Sequence, residues 1–303
     1  VFQCGGSEVF HYNLLLVDGI KNMLTRIGVI GAGQMGAGIA QVIATAGFST
    51  ILFDAQADAL ARGMDGIHKR LDLAVEKGKL DANARDQTKR NLQAATSIND
   101  FSECDLVIEA IIENFEIKAS LFKQLDAIVK RAGLLVSNTS SISITRIAAS
   151  TSRPEKVMGV HFMNPVPVMK LVELIKGLQT SPETYDEIVT FCSKIQKTTV
   201  LGIDTPGFIV NRILCPMINE AIFLVQEGVR PEDIDNAMKL GTNHPMGPLT
   251  LADFVGLDTL LYILQLLHRE LGEDKYRPCP LLAKYVEAGW YGKKTGRGFY
   301  TYT

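Results

Sequence analysis

The chain has 303 residues, enough for a sizeable core and about two domains. Apolar residues make up 47% and charged residues 21%, an ordinary balance for a globular protein. With a formal net charge of −2 there is no broad basic field, which argues against nucleic acid or a membrane surface as partner. No apolar run approaches the roughly 20 residues that span a bilayer. The cysteines Cys4, Cys104, Cys192, Cys215 and Cys279 are scattered, with no C-x-x-C pair. They read as reduced thiols of a cytoplasm-like compartment, with a mitochondrial matrix as the alternative. The histidines show no metal-ligand spacing, so no metal is expected.

Residues 1–22 lack a basic segment and a long apolar core, so they make a poor secretory signal. They read as a non-native or flexible extension, with translation starting at Met23, or else as one extra strand.

The first convincing strand, "RIGVI", runs into a glycine-rich helix start, "GAGQMGAGIAQ". Gly31-x-Gly33-x-x-Gly36 sits where a strand turns into a helix. Gly31 allows the tight turn, Gly33 lets a pyrophosphate approach the backbone, and Gly36 lets helix and strand pack closely. Gln34 and Met35 lie inside the turn and count with it as cofactor contacts. Free N–H groups at the helix start favour phosphate. The next strand, "STILFD", ends on Asp54, in the range where a carboxylate receives a ribose diol and repels a 2′-phosphate. Together they point to NAD rather than NADP.

A helical insertion near 62–95 follows, rich in Lys and Arg, reading as two helices joined near Gly78. A solvated, mixed-charge hairpin explains it nearly as well as a ligand site. The strand "CDLVIEAI" precedes a helix with Glu113 and Lys118 at its start, for which an exposed helix pair is the plainer alternative to a site role. The strand "GLLVSNTS" precedes a short helix, and Ser140 between them reads as a cap or a site residue. The strand "KVMGVHF" carries His161. Asn164, Pro165 and Pro167 then force a turn, and Glu173 sits in the next apolar run. A neutral imidazole could take the proton of a hydroxyl whose carbon gives up hydride, with a carboxylate orienting the ring. A structural histidine is the plainer alternative.

Strands alternating with helices imply a Rossmann-type, mostly parallel α/β sheet over 23–205. After "DTPGF" the texture changes. "GFIVNRILCPMINEAIFLVQEG", "RPEDIDNAMKLG", "GPLTLADFVGLDTLLYILQLLHREL" and "PLLAKYVEAG" each read as a helix. Pro231, Pro248 and Pro280 sit near helix starts, and Gly228, Gly241 and Gly272 near helix ends. An all-α C-terminal domain is therefore expected over 206–303.

The ordered segments "IGVIGAGQMGAGIAQ", "VIEAIIEN", "SNTSSI", "GVHFMNPVPVMKLVELI", "DTPGFIVNRI" and "HPMGPLTLADFVGLD" resemble the L-3-hydroxyacyl-CoA dehydrogenase family. The likeness is greatest to its short bacterial members, the 3-hydroxybutyryl-CoA dehydrogenases. It covers about Met23 to the C-terminus. The resemblance implies NAD-dependent, reversible oxidation of a 3-hydroxyacyl-CoA. It implies His161 as base, Glu173 as its partner, and Ser140 and Asn211 at the reacting centre as catalytic and substrate contacts. Glu113, Lys118, Ser140 and Asn164 are implied on the nicotinamide side. Lys77 is implied as a phosphate contact for coenzyme A; where some members have a serine in that helix, this chain has Arg70. A homodimer through the helical domain is implied as well. Chain length, direction and pathway stay open, whether butanoate, polyester-precursor or fatty acid metabolism. Two rivals remain at this level. One is a non-catalytic nucleotide-holding protein, like a lens crystallin of similar sequence. The other is a dehydrogenase of a free hydroxy acid, which needs an arginine such as Arg212 or Arg146 near the reacting carbon.

Overall fold

A computed structural model describes residues 24–302, so the extension expected at 1–22 lies outside the described residues. The first half alternates short strands and helices. They are β1 (Arg26–Ile30), α1 (Gln34–Thr45), β2 (Ser49–Phe53), α2 (Ala57–Glu76), α3 (Ala82–Asn91), β3 (Leu92–Ala94), β4 (Leu106–Glu109), α4 (Phe115–Ile128), β5 (Leu134–Ser137), α5 (Ile144–Ala148), β6 (Val157–Phe162), β7 (Leu171–Lys176), α6 (Pro182–Lys194) and β8 (Thr198–Ile203). The strands form one eight-stranded sheet in the order β3-β2-β1-β4-β5-β6-β7-β8. Every pairing is parallel except β6 with β7. The chain moves outward from β1 in one direction through β2 and in the other through β4. A ligand crevice therefore opens where β1 and β4 end.

Alternation along the strands sorts the core onto two faces. Ile27 and Val29 of β1 join Ile39, Ile43, Ile67 and Phe191 beneath α1, α2 and α6. Ile30 points the other way and joins Phe101, Phe122, Leu125 and Ile147 beneath α4 and α5. Short apolar strands with buried residues on both faces are what a parallel sheet covered by helices requires.

Beyond β8 the described chain is helical, with α7 (Val210–Gln226), α8 (Pro231–Thr242), α9 (Pro248–Val255), α10 (Leu257–Leu271) and α11 (Pro280–Glu287). Pro231, Pro248 and Pro280 each open their helix. One detail differs from the sequence reading. The run from Pro248 to Leu271 is two helices bent by 97°, not one. Gly256 makes the break at φ +99, a conformation that suits glycine and ends the hydrogen-bond ladder. Gly241 lies in the last turn of α8, as expected, and Asn243, left-handed at φ +58, closes the helix. Leu249, Leu257, Leu260, Leu264 and Leu267 share a separate core with Ile218 and Ile222 of α7.

Candidate active site

The glycine turn lies at the crevice. Gly31 adopts φ +102, and a Cβ there would press into the Ala110 carbonyl at the end of β4. A Cβ on Gly36 would overlap the Gly31 carbonyl oxygen, so only glycine lets α1 approach β1 this closely. Gly33 differs: a Cβ there meets nothing within 4 Å. Its missing side chain makes room for something outside the protein, which fits a pyrophosphate over the start of α1. Met35 is half-buried and packs against the core behind the turn. Asp54 follows β2 and accepts the Ala32 amide at 2.8 Å and the Gln56 amide at 2.9 Å. A carboxylate has about four acceptor positions, so two remain for a diol. Beside it a cavity of about 990 Å³ is lined by Gly31, Gly33 and Asp54 on one side and Ile98, Ile117 and Leu121 on the other. Apolar walls with one acid and a bare backbone suit an adenosine diphosphate half.

His161 and Glu173 occupy opposed positions of the antiparallel β6–β7 pair. The imidazole Nδ1 lies 2.7 Å from Glu173 Oε2. Glu173 Oε1 accepts the amides of Ile209 at 3.0 Å and Val210 at 2.9 Å, at the start of α7. The carboxylate thus clamps the first helix of the C-terminal part onto the sheet. Phe208 packs edge-on against the imidazole, with ring centroids 5.6 Å apart. Asn211 is the second residue of α7, half-buried, and its side chain makes no hydrogen bond among the described residues. On the opposite rim Gln34 Nε2 donates to Asn164 Oδ1 at 3.0 Å, joining two residues of the sequence prediction.

Glu113 gathers the serine loop. Its Oε1 accepts from Thr139 Oγ1 at 2.6 Å, the Ser140 amide at 2.9 Å, Ser140 Oγ at 3.2 Å and Ser141 Oγ at 2.8 Å. Lys118 Nζ stands 3.4 Å from Glu113 Oε2 and 2.5 Å from Glu109 Oε1. These are not an exposed helix pair, since Lys118 is 1% exposed. Nor does Ser140 cap α5. Ser143 does that, its hydroxyl accepting the Arg146 amide at 3.3 Å while donating to Asp204, which itself accepts the Ile144 and Thr145 amides.

Two family profiles cover nearly all of the described chain. The one described as "3-hydroxyacyl-CoA dehydrogenase, NAD binding domain" matches residues 26–205, and "3-hydroxyacyl-CoA dehydrogenase, C-terminal domain" matches residues 207–302. This chain belongs to the 3-hydroxyacyl-CoA dehydrogenase family. It is an NAD-dependent oxidoreductase of that family. The 3-hydroxybutyryl-CoA dehydrogenase of Bradyrhizobium diazoefficiens is 53% identical over 281 residues, which is 92% of this chain and 96% of the relative. FadB2 of Mycobacterium tuberculosis has a crystal structure that matches with a TM-score of 0.91 at 44% identity, covering 93% of this chain and all of that one. The structure of (S)-3-hydroxybutyryl-CoA dehydrogenase PaaH1 of Ralstonia eutropha matches at 0.89 and 45%, with 93% and 100% covered.

Within this 3-hydroxyacyl-CoA dehydrogenase fold, both site carboxylates are tuned by neighbours. Burial alone would raise Glu113, but the Lys118 cation and the hydroxyl and amide donors hold it below the usual carboxylate range. Burial also works against Glu173. Its bond to His161 and the Val210 and Ile209 amides win, and it too lies below that range. Lys77 stands apart from these groups, exposed at the C-terminal end of α2. The α2–α3 hairpin is laced by Asp72 with Lys89 at 2.8 Å and with Arg85 at 3.6 Å, as a solvated mixed-charge pair of helices would be. Three site features escape sequence reasoning: Glu109, Phe208 and the two amides on Glu173. Glu109 left a faint signal, as an acid inside the apolar run of a strand. The amides and Phe208 left none.

Proposed function

We propose that the chain interconverts a short-chain L-3-hydroxyacyl-CoA, such as 3-hydroxybutyryl-CoA, and its 3-oxoacyl-CoA. The names of the relatives support the substrate, and one geometric observation carries the chemistry. That observation is the imidazole braced by a buried carboxylate at 2.7 Å, on the strand bordering the loop that carries Ser140.

NAD, when bound, accepts the hydride from C3 and returns it in the reverse direction. Gly31, Gly33, Gln34, Met35 and Gly36 hold its diphosphate, and Asp54 its adenosine ribose. Glu113, Lys118, Ser140 and Asn164 face its nicotinamide half. His161 takes the C3 hydroxyl proton on Nε2, which has no partner among the described residues. Glu173 fixes the tautomer by accepting at Nδ1 and balances the charge when the ring is protonated. Ser140 and Asn211 hold the C3 oxygen. In reduction His161 gives the same proton back. Lys77 and the α2–α3 hairpin receive a coenzyme A phosphate.

Both candidates for the arginine that a free hydroxy-acid enzyme would need are engaged elsewhere. Arg212 donates to Tyr276 and Thr205, and Arg146 lies 3.9 Å from the Phe115 ring centroid. This favours a thioester over a free carboxylate. The decisive assay is acetoacetyl-CoA reduction with NADH and NADPH in parallel. NADH oxidation well above NADPH oxidation is expected, and no turnover with either would refute the reading.

A homodimer through the helical part belongs to the same reading. Ile213 is 67% exposed and Leu240 87%, with Phe254 and Tyr262 also open to solvent. Sedimentation at micromolar concentration should give twice the 33.2 kDa chain mass. A cytoplasmic location fits the buried free thiols Cys104, Cys192, Cys215 and Cys279. Among the described residues no single helix is long and apolar enough to cross a membrane.

A further inference from the structure

Lys118 is 1% exposed and Glu109 0%, yet neither takes part in the proton and hydride path described above as donor or acceptor. A buried ion pair is weak evidence for stability, because apolar side chains of similar volume are often as stable or more so. The pair is better explained by what it holds. Glu109 Oε1 accepts from Lys118 Nζ and from the Ile111 amide, at 2.5 and 2.7 Å. Its Oε2 accepts from Ser137 Oγ at 2.6 Å. Ser137 Oγ in turn accepts the Thr139 amide at 3.1 Å, and Thr139 Oγ1 donates to Glu113 at 2.6 Å. Lys118 closes the circuit to Glu113 at 3.4 Å. Glu109, Lys118, Glu113, Thr139 and Ser137 therefore make a closed ring joining the end of β4, the first turn of α4 and the end of β5. Ser140 hangs from that ring by its amide and its hydroxyl.

We propose that Glu109 is a positioning residue for the reaction, fixing Ser140 through both arms of this ring. The inference rests on the reading in which Ser140 holds the C3 oxygen. One arm is electrostatic. With Glu109 charged, Lys118 is shared between two carboxylates and leaves Glu113 Oε1 to the serine loop. With Glu109 neutral, the cation has Glu113 as its one charged partner and draws it away from Ser140. The other arm is the Ser137 hydroxyl, which sets the start of the loop by direct contact. An error of about 1 Å in a positioning group can reduce turnover on the order of a hundredfold.

The test is Glu109→Gln, with Ser137→Ala beside it. Ser137→Ala removes one arm and leaves all three charges. Circular dichroism and thermal melting report the fold, and NADH fluorescence reports cofactor affinity without turnover. Steady-state reduction of acetoacetyl-CoA is run with NADH and with NADH deuterated at the transferred position. Glu109→Gln is expected to lower kcat roughly a hundredfold. KM and NADH affinity should change little, and the isotope effect on kcat should rise because hydride transfer has become slower than release. Ser137→Ala should show a smaller loss of the same kind. Folded Glu109→Gln with the parent kcat and isotope effect would overturn the proposal. So would a kcat loss that merely matches the loss of NADH affinity or of folded protein. Should Glu109→Gln fail to fold, Ser137→Ala decides: an unchanged kcat and isotope effect overturns the inference. A Ser140→Ala variant with full turnover would overturn it too. Failure of the functional reading looks different, since the parent chain would then reduce no 3-oxoacyl-CoA at all.

Discussion

His161 and Glu173 are twelve residues apart in sequence and directly opposed across the β6–β7 pair, Nδ1 to Oε2 at 2.7 Å. The antiparallel step in an otherwise parallel sheet makes this possible. A tight return after the Asn164–Pro165–Val166–Pro167 turn brings the acid back alongside the base. A parallel crossover would have carried it to another strand position a helix later. Glu173 then spends its second oxygen on the start of α7, so one carboxylate orients the imidazole and anchors the helix that bears Asn211.

The first prediction concerns the base. His161→Ala should lower kcat for acetoacetyl-CoA reduction by about 10²–10⁴-fold, the usual range for a general acid–base group. NADH affinity, read by fluorescence, should remain near that of the parent. Full activity in the variant would remove His161 from the mechanism.

How much of this was legible beforehand depends on how local each signal is. The glycine turn and the alternation of strands and helices are local, and both are read directly from spacing. His161 and Glu173 are visible as residues, but their meeting depends on strand direction, which apolar runs do not encode. Glu113 and Lys118 enter the site through the family resemblance alone; their local pattern fits an exposed pair, because charge usually means solvent. Lys118 is buried against Glu109 on β4 and Glu113 between β4 and α4, and Glu113 in turn holds the serine loop after β5. The break at Gly256 hides inside a continuous apolar pattern that one long helix satisfies equally well. Phe208 holds φ +47, and nothing in "TPGF" announces a left-handed aromatic residue.

Acid should loosen the link between the sheet and α7. Glu173 has a folded-state pKa below its usual 4.5, so its stabilising contribution is present above that value. It is lost as pH falls through the lower folded value. Urea midpoints of the parent should therefore drop below about pH 4.5, and Glu173→Gln should flatten part of that slope. Part only, because Asp105 adds its own loss at lower pH. Despite burial, it is held at about 2 by Lys130 and the Arg26 and Thr25 amides. An identical slope in Glu173→Gln would contradict the pKa assignment.

Coenzyme choice should follow Asp54. Asp54→Ser removes the charge that repels a 2′-phosphate and leaves an oxygen near the Ala32 amide. The ratio of kcat/KM for NADH over NADPH should fall by at least about tenfold, equivalent to 1.4 kcal/mol of discrimination. An unchanged ratio would place the ribose elsewhere.

The glycine turn allows binding to be separated from folding. Gly36→Ala forces a Cβ onto the Gly31 carbonyl oxygen, which is backbone and cannot rotate away. The helix must shift, at a cost of about 1–3 kcal/mol or more, and the melting temperature should fall. Gly33→Ala meets open space at an ordinary φ of −66°, so the apoprotein should melt like the parent. The added methyl occupies the approach to the amides at the start of α1, where the pyrophosphate is placed. NADH affinity should therefore weaken by on the order of tenfold while stability is kept. Tight NADH binding by Gly33→Ala would show that the dinucleotide does not cross this turn. A stable Gly36→Ala would show that α1 lies farther from β1 than the packing described here.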